Sequence, residues 1–290
     1  MWQILAFTSA LFSAFAAVTE KKALIKSDPL VFSLILSAIT FMFTIPFIIF
    51  TEIEQIAPFT IVILLGKSVL GAFAFLLVMN GLKRLEISSS LPLLVLTPGI
   101  VAVFAFLFLN ESLSRLDISG MILLLIGTYV LQLKKKNSLL DPFLFAQQNK
   151  AYLFIIGAIL LFTTTSILDK ALLSTYKLQP EAFLPLQQLF YTIVFVFIFL
   201  FQRKKADVLK LQFQDSWKWI LLVAVFAVIY RYSHILAVKE GPVALVLSIK
   251  RTSVFFATII GGQIFQEHNL LRKSIAVLMM VAGSIFVLMP

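Results

Sequence analysis

The sequence contains no cysteine and only two histidines, His234 and His268. The first absence removes disulfide frameworks, thiolate nucleophiles and Cys-ligated metals, and two histidines are too few for a cluster. Acid is scarce as well, with 14 Asp and Glu against 24 Lys and Arg. Charged residues make up 13% of the chain, where a soluble domain carries about 25%. No close pair of deep carboxylates offers acid–base chemistry, so the chain is expected not to be an enzyme and to use no cofactor or metal. Rings of like charge and filter loops are also missing, which argues against an ion channel. Residues 2–18 are apolar but have no basic start and run straight into Glu20-Lys21-Lys22, so no cleavable signal peptide is expected.

What the chain has is hydrocarbon. Hydrophobic residues make up 60% of it, 30 of them Phe, and mean hydropathy is +1.01. This composition reads as an integral, multi-pass protein of a plasma or bacterial inner membrane. The net charge of +10 is assigned to loops and not to nucleic-acid binding. Windows of about 20 apolar residues recur ten times. The expected spans are 3–25, 30–50, 58–81, 88–109, 115–133, 151–174, 181–202, 216–238, 243–265 and 271–289. Turn residues punctuate the joints at Ser27-Asp28-Pro29, Ala57-Pro58, Asn110-Glu111-Ser112, Gln179-Pro180 and Gly241-Pro242. Pro46, Pro92, Pro98 and Pro185 fall inside spans and bend them, the fourth span most.

The two halves resemble each other. At an offset of 156, Lys83 falls on Lys239, Leu91 on Leu247, Thr97 on Ser253, Glu111 on Glu267 and Gly127 on Gly283. Upstream the offset is 151 for Pro29 and Pro180, and 148 for Lys22-Ala23-Leu24 and Lys170-Ala171-Leu172. Five spans per unit is an odd number, so the second unit enters the membrane the other way up. The expected fold is all-α, with ten transmembrane helices as two inverted-topology five-helix repeats and a site at their interface near the midplane.

With the Lys21-Lys22 end of span 1, Pro98 in span 4, Glu111 and Glu267 closing spans 4 and 9, and Gly120, Gly127 and Gly283 in spans 5 and 10, the chain resembles the drug/metabolite transporter superfamily. The form it resembles has two EamA-type units, here 1–133 and 151–290, joined by a 134–150 linker. The resemblance implies alternating-access transport of small metabolites, nucleotide sugars, sugar phosphates, amino acids or drugs. Plastid phosphate translocators are similar in having an adjacent Lys-Arg in the ninth helix that binds phosphate, and Lys250-Arg251 matches that pair in position. The chain departs from the usual pattern in loop 2–3, which is acidic (Glu52, Glu54).

Loop charge gives an independent orientation. Lys26, Lys83, Arg84, Lys134, Lys135, Lys136, Lys150, Arg203, Lys204, Lys205, Lys210, Arg272 and Lys273 fall on one side, and Arg115, Lys177 and Lys239 on the other. This places the linker in the cytoplasm and both termini outside. The family resemblance implies termini inside.

Intramembrane cations nominate the site. Lys250 lies about 12 Å into a span that opens at Pro242, close to the midplane of a core about 30 Å thick. A cation facing lipid there costs about 2.5–3.5 kcal/mol, so it faces a protein or water-filled interior. Adjacent helical residues diverge by about 100°. Arg251 shares a stripe with Ser248 and Phe255 and is expected to bind substrate directly, with Lys250 flanking it. Lys67 and Arg231 are further binding candidates, against the alternatives of a lysine filling a helix gap and an arginine snorkelling to the interface. Gln187, Gln188 and Tyr191 offer uncharged polar contacts. Glu20 and Asp169 fall near the same place in the two repeats and are candidates for gating or proton coupling. His234 is expected to pack in the interior. Gly66, Gly261 and Gly262 are expected to permit close helix packing, and Trp2, Trp217 and Trp219 to sit in interfacial belts.

The favoured substrate is a small anionic metabolite with phosphate or carboxylate. The alternatives are an exporter of amino acids or drugs, and a flippase for a lipid-linked phosphate. The expected partners are that small molecule and the lipid bilayer, with a homodimer left open.

Overall fold

The computed structural model describes residues 1–49, 51, 56–85, 87, 91–109, 114–132, 150–202, 206–265, 279, 282, 283 and 286. Among them there are helices and no strands. Helix α1 (Trp2–Leu24) leads to α2 (Pro29–Ile48), where Asp28 caps the N-terminus by accepting from the Leu30 and Val31 N–H groups and Pro29 takes the first helical position. Helix α3 (Pro58–Arg84) also starts on proline. The fourth span opens as a 3-10 segment (Leu91–Val95) and continues as α4 (Leu96–Leu109), followed by α5 (Arg115–Gln132). In the second half come α6 (Ala151–Lys170), which ends in a π turn (Ala171–Thr175), α7 (Pro180–Phe201) and α8 (Ala206–Glu240). The ninth span is broken into α9 (Val243–Lys250) and α10 (Thr252–Ile264).

Among the described residues, seven segments are long and apolar enough to cross a membrane: Trp2–Leu24, Pro29–Ile48, Pro58–Arg84, Ala151–Thr175, Pro180–Phe201, Asp207–Glu240 and Val243–Ile264. The fourth and fifth expected spans appear as shorter helices. Glu52, Glu54, Glu111, Glu267, the 134–149 stretch and most of the tenth span lie outside the described residues. Helix α8 starts ten residues before the expected boundary, through an exposed, charged turn carrying Asp207 and Lys210.

Helices pack across the halves more than within them. The most extensive partners are α1 with α8 and α3 with α6, then α2 with α7, with α1 against α9 and α10 as α6 is against α4. Exchanging the halves therefore maps the contact pattern onto itself. At one end of the bundle Lys83 Nζ donates to the Ser27 carbonyl (2.8 Å), Gln212 bonds the Asp28 backbone, and Arg84 lies over Phe154 at 4.9 Å. We call this the basic end. At the other, the Trp2 indole presses on Gly241 so closely that a Cβ there would sit 2.6 Å from the ring, and Phe59 meets Tyr176. The Trp2 ring is thus packed against a helix–helix turn. Helix α1 runs towards the basic end and α6 away from it; α3 and α8 are opposed in the same sense.

Two lysines set the register between the halves. Lys21 Nζ donates to the carbonyls of Leu82 and Leu85 (2.7 Å for Leu85) at the end of α3. Lys170 Nζ donates to Val238 (3.0 Å) and Gly241 (2.7 Å) at the end of α8. Each ammonium satisfies carbonyls that a helix end leaves without intrahelical partners. The α3 and α8 acceptors keep the 156 offset, but α1 and α6 correspond at 149, one more than the sequence suggested. Lys21, not Lys22, is the counterpart of Lys170, and Glu20 falls directly on Asp169.

Candidate functional site

A cavity of about 180 Å³ lies between the halves. It is bounded by two apolar clusters. One, around Leu64, Leu172, Phe183 and Val246, lies on the Gly241 side; the other, around Leu24, Leu82, Ile155 and Ile220, lies on the basic side. Lys67, Arg231, Lys250, Arg251, Gln187, Tyr191, Glu20 and Asp169 all line this one cavity.

The four cations share one depth. Lys67 lies nine residues past the start of α3, Arg231 nine before the end of α8, and Lys250 and Arg251 seven and eight past the start of α9. At about 1.5 Å per residue all four are about 10–14 Å from the Gly241 end. Each is held differently. Lys67, 1% exposed, pairs with Asp169 at 2.6 Å and lies 4.6 Å from the Phe183 ring centre. Arg231 sits among the rings of Tyr191 (5.3 Å), Tyr230 (5.6 Å) and Phe75 (5.8 Å). It does not snorkel: the ring faces attract the guanidinium and hold it inside. Lys250 Nζ lies 5.4 Å from the Tyr230 ring. Arg251 donates from Nη2 to Thr97 Oγ1 at 3.1 Å, while its buried Nε has no partner.

The break at Arg251 corrects the reading of one continuous helix and of which stripe faces inward. Arg251 N–H bonds the carbonyls of both Leu247 (2.9 Å) and Ser248 (3.2 Å), and Val254 N–H bonds Arg251. The tightened turn leaves Leu247, Lys250, Ser253 and Val254, the stripe of Lys250, on the cavity wall. Arg251 reaches the cavity from the edge by its length, so the two side chains diverge onto α8 and α4 yet border the same space. Pro242 is the N-cap of α9 and not its first residue.

Glu20 is buried and, among the described residues, has no cation within ion-pairing distance, whereas Asp169 is paired. Gln187 Nε2 donates to Tyr191 Oη (3.2 Å), and Tyr191 is seated against Gly71, where a Cβ would collide with its hydroxyl. Gln188 turns away from this cavity, towards α2. Gly261 permits a close approach to Ile87, but a Cβ on Gly66 would meet nothing within 4 Å, so that glycine does not serve packing.

Sequence reasoning missed His234, which lines the cavity with Nδ1 unpartnered, and the polar residues Ser13, Thr165 and Ser166. A signal for the last three was present. Ser13, Ala16, Ala17 and Glu20 on α1, and Phe162, Thr165, Ser166 and Asp169 on α6, follow the same i, i+3, i+4, i+7 spacing at the 149 offset.

The chain matches the EamA-like transporter family over residues 1–133 and 149–289. No curated protein matches it. A solved structure titled only "Crystal structure of protein" shares the fold, with a TM-score of 0.74 over 98% of this chain and 95% of its own at 14% identity. A cavity ringed by charge inside a bundle of membrane-length helices suits such a family, and the chain belongs to it: an integral, multi-pass membrane transporter of small molecules of the EamA-like family, not an enzyme.

Proposed function

We propose that the protein is a secondary-active transporter of a small anion bearing phosphate or carboxylate. Ten transmembrane helices form two inverted five-helix repeats, 1–133 and 151–290, joined by 134–150. Four cations against two carboxylates on one cavity, among the described residues, carry this assignment. Such a surplus inside a bilayer is costly until an anion neutralises it. Phosphate or carboxylate suits both the fork of Arg251 and the point charges of Lys250 and Lys67. Transport follows when one repeat rocks against the other, so that the cavity opens to each side in turn. Glu20 and Asp169 act as gates: Asp169 holds Lys67 in the present arrangement, and Glu20 is positioned to take a cation when the ends exchange. The basic end faces the cytoplasm. An amino-acid or drug exporter, with its cations mutually compensated, is favoured only by the Lys67–Asp169 pair.

Binding to the purified full chain tests the assignment. Inorganic phosphate or acetate should raise the melting temperature, since a ligand that binds only the folded state stabilises it. Arg251→Met and Lys250→Met should stay folded and lose that response, and Arg251→Lys should recover part of it. Misfolding of Arg251→Met, with unchanged anion affinity in what survives, overturns the binding role. Orientation is read separately: cysteines replacing Lys26 and Lys177, both exposed, should label from the cytoplasmic and outer faces respectively. Reversed labelling inverts the topology and leaves the site intact.

A further inference from the structure

The cavity is symmetric in position but not in chemistry. At the 156 offset, Phe75, Val78 and Met79 of α3 correspond to Arg231, His234 and Ile235 of α8, and all six line it. Likewise Leu91 and Leu94 of the 3-10 segment correspond to Leu247 and Lys250 of α9, again all lining. Where the second half presents Arg231, His234 and Lys250, the first presents Phe75, Val78 and Leu94. Because the halves run in opposite directions, these two sets lie towards opposite ends. The four cations sit about 10–14 Å from the Gly241 end. Towards the basic end, Val78, Met79, Leu82, Leu91, Leu94 and Val254 make a wall without a polar side-chain atom. Glu20 borders the same cavity and has no ion-pair partner among the described residues.

We infer, on the basis of the anion reading above, that the substrate is a monofunctional amphiphilic anion: one phosphate or carboxylate at the cation layer and a compact apolar body against the wall towards the basic end. Size limits it further. About 180 Å³ falls below the roughly 300–1,000 Å³ of drug-sized pockets. A nucleotide-sized guest exceeds this space, and a second anionic group on the guest would meet an apolar wall in place of a cation. Burying a phenyl-sized body removes apolar surface from water, and that gain is available only where the wall carries no polar group.

Matched probes test this. Phenyl phosphate and glycerol 3-phosphate share a head group and differ in a body of similar size that is apolar in one and hydroxylated in the other. By titration calorimetry on the full chain in detergent, phenyl phosphate should bind at least tenfold tighter. Val78→Thr and Val254→Thr each exchange a methyl for a hydroxyl at nearly constant volume and should shrink that ratio several-fold. Equal affinities for the pair overturn the amphiphile and leave the anion site standing. Benzyl alcohol binding as tightly as phenyl phosphate removes the head-group requirement, and with it the anion reading. Failure of phosphate, acetate and phenyl phosphate alike removes both. A lipid source of the same chemistry is separated by nanodiscs. Phosphatidic acid added to phosphatidylcholine should leave phenyl phosphate affinity unchanged, and competition by it overturns the compact soluble guest.

Discussion

The two halves of the cavity wall are built on one template and filled with opposite chemistry. Equivalent positions carry Phe75 and Arg231, Val78 and His234, Leu94 and Lys250. The supporting frame, by contrast, stays alike in both halves: Lys21 ties α1 to the end of α3 as Lys170 ties α6 to the end of α8. The frame keeps the same helix-end ties in both halves, and the lining diverges, as the proposed guest with two different ends requires. The carboxylates follow the lining in part, with Asp169 paired and Glu20 not.

The largest effect should come from that last difference. Asp169→Asn strands Lys67 in the interior and should cost about 3–5 kcal/mol, seen as a fall in melting temperature, and Lys67→Met in the same chain should restore it. Glu20→Gln removes a carboxylate that has no ion-pair partner among the described residues and should leave stability level or raised. Equal losses from the two would erase the asymmetry. Next come the ties: Lys21→Met and Lys170→Met each remove charged hydrogen bonds to helix-end carbonyls, at about 1.5–3 kcal/mol, and should do so equally. A large inequality in melting temperature would show that the frames are not equivalent. Lys250→Leu makes the second half copy the first at this position. It should fold and weaken phosphate binding at least tenfold, about 1.4 kcal/mol, by calorimetry. The smallest effect is expected within α3. Gly66→Ala, facing open space, should stay within about 0.5 kcal/mol of wild type by melting. Gly71→Ala displaces Tyr191 and should lower both stability and anion affinity.

Much of this was legible from the chain alone. Hydropathy marked the seven membrane-length helices found among the described residues, and Lys67, Arg231, Lys250 and Arg251 stood out because a cation deep in an apolar run needs an interior. The sequence could not show how each is held. The cage on Arg231 draws Phe75 and Tyr191 from two other helices, and no local pattern joins residues that far apart. The turn at Arg251 carries no glycine or proline to announce it. The one-residue error between Lys22 and Lys170 arose because two adjacent lysines are equal in sequence, and only the carbonyls that Lys21 reaches distinguish them. Gly66 shows the reverse, a residue type that suggests close contact in a place where there is none.

The pairing of α1 with α8 has a consequence for how the molecule is made. A ribosome adds about 5–20 residues per second, so α1 is complete roughly 10–40 s before α8. Through that interval the α1 face carrying Ser9 and Glu20 has no α8 to cover it: the Tyr230 carbonyl that Ser9 bonds at 2.8 Å has not been synthesised. The first half of the chain therefore enters the bilayer as an unfinished surface. It is completed only by interlocking with helices inserted later and running the other way, so the two halves mature as one object.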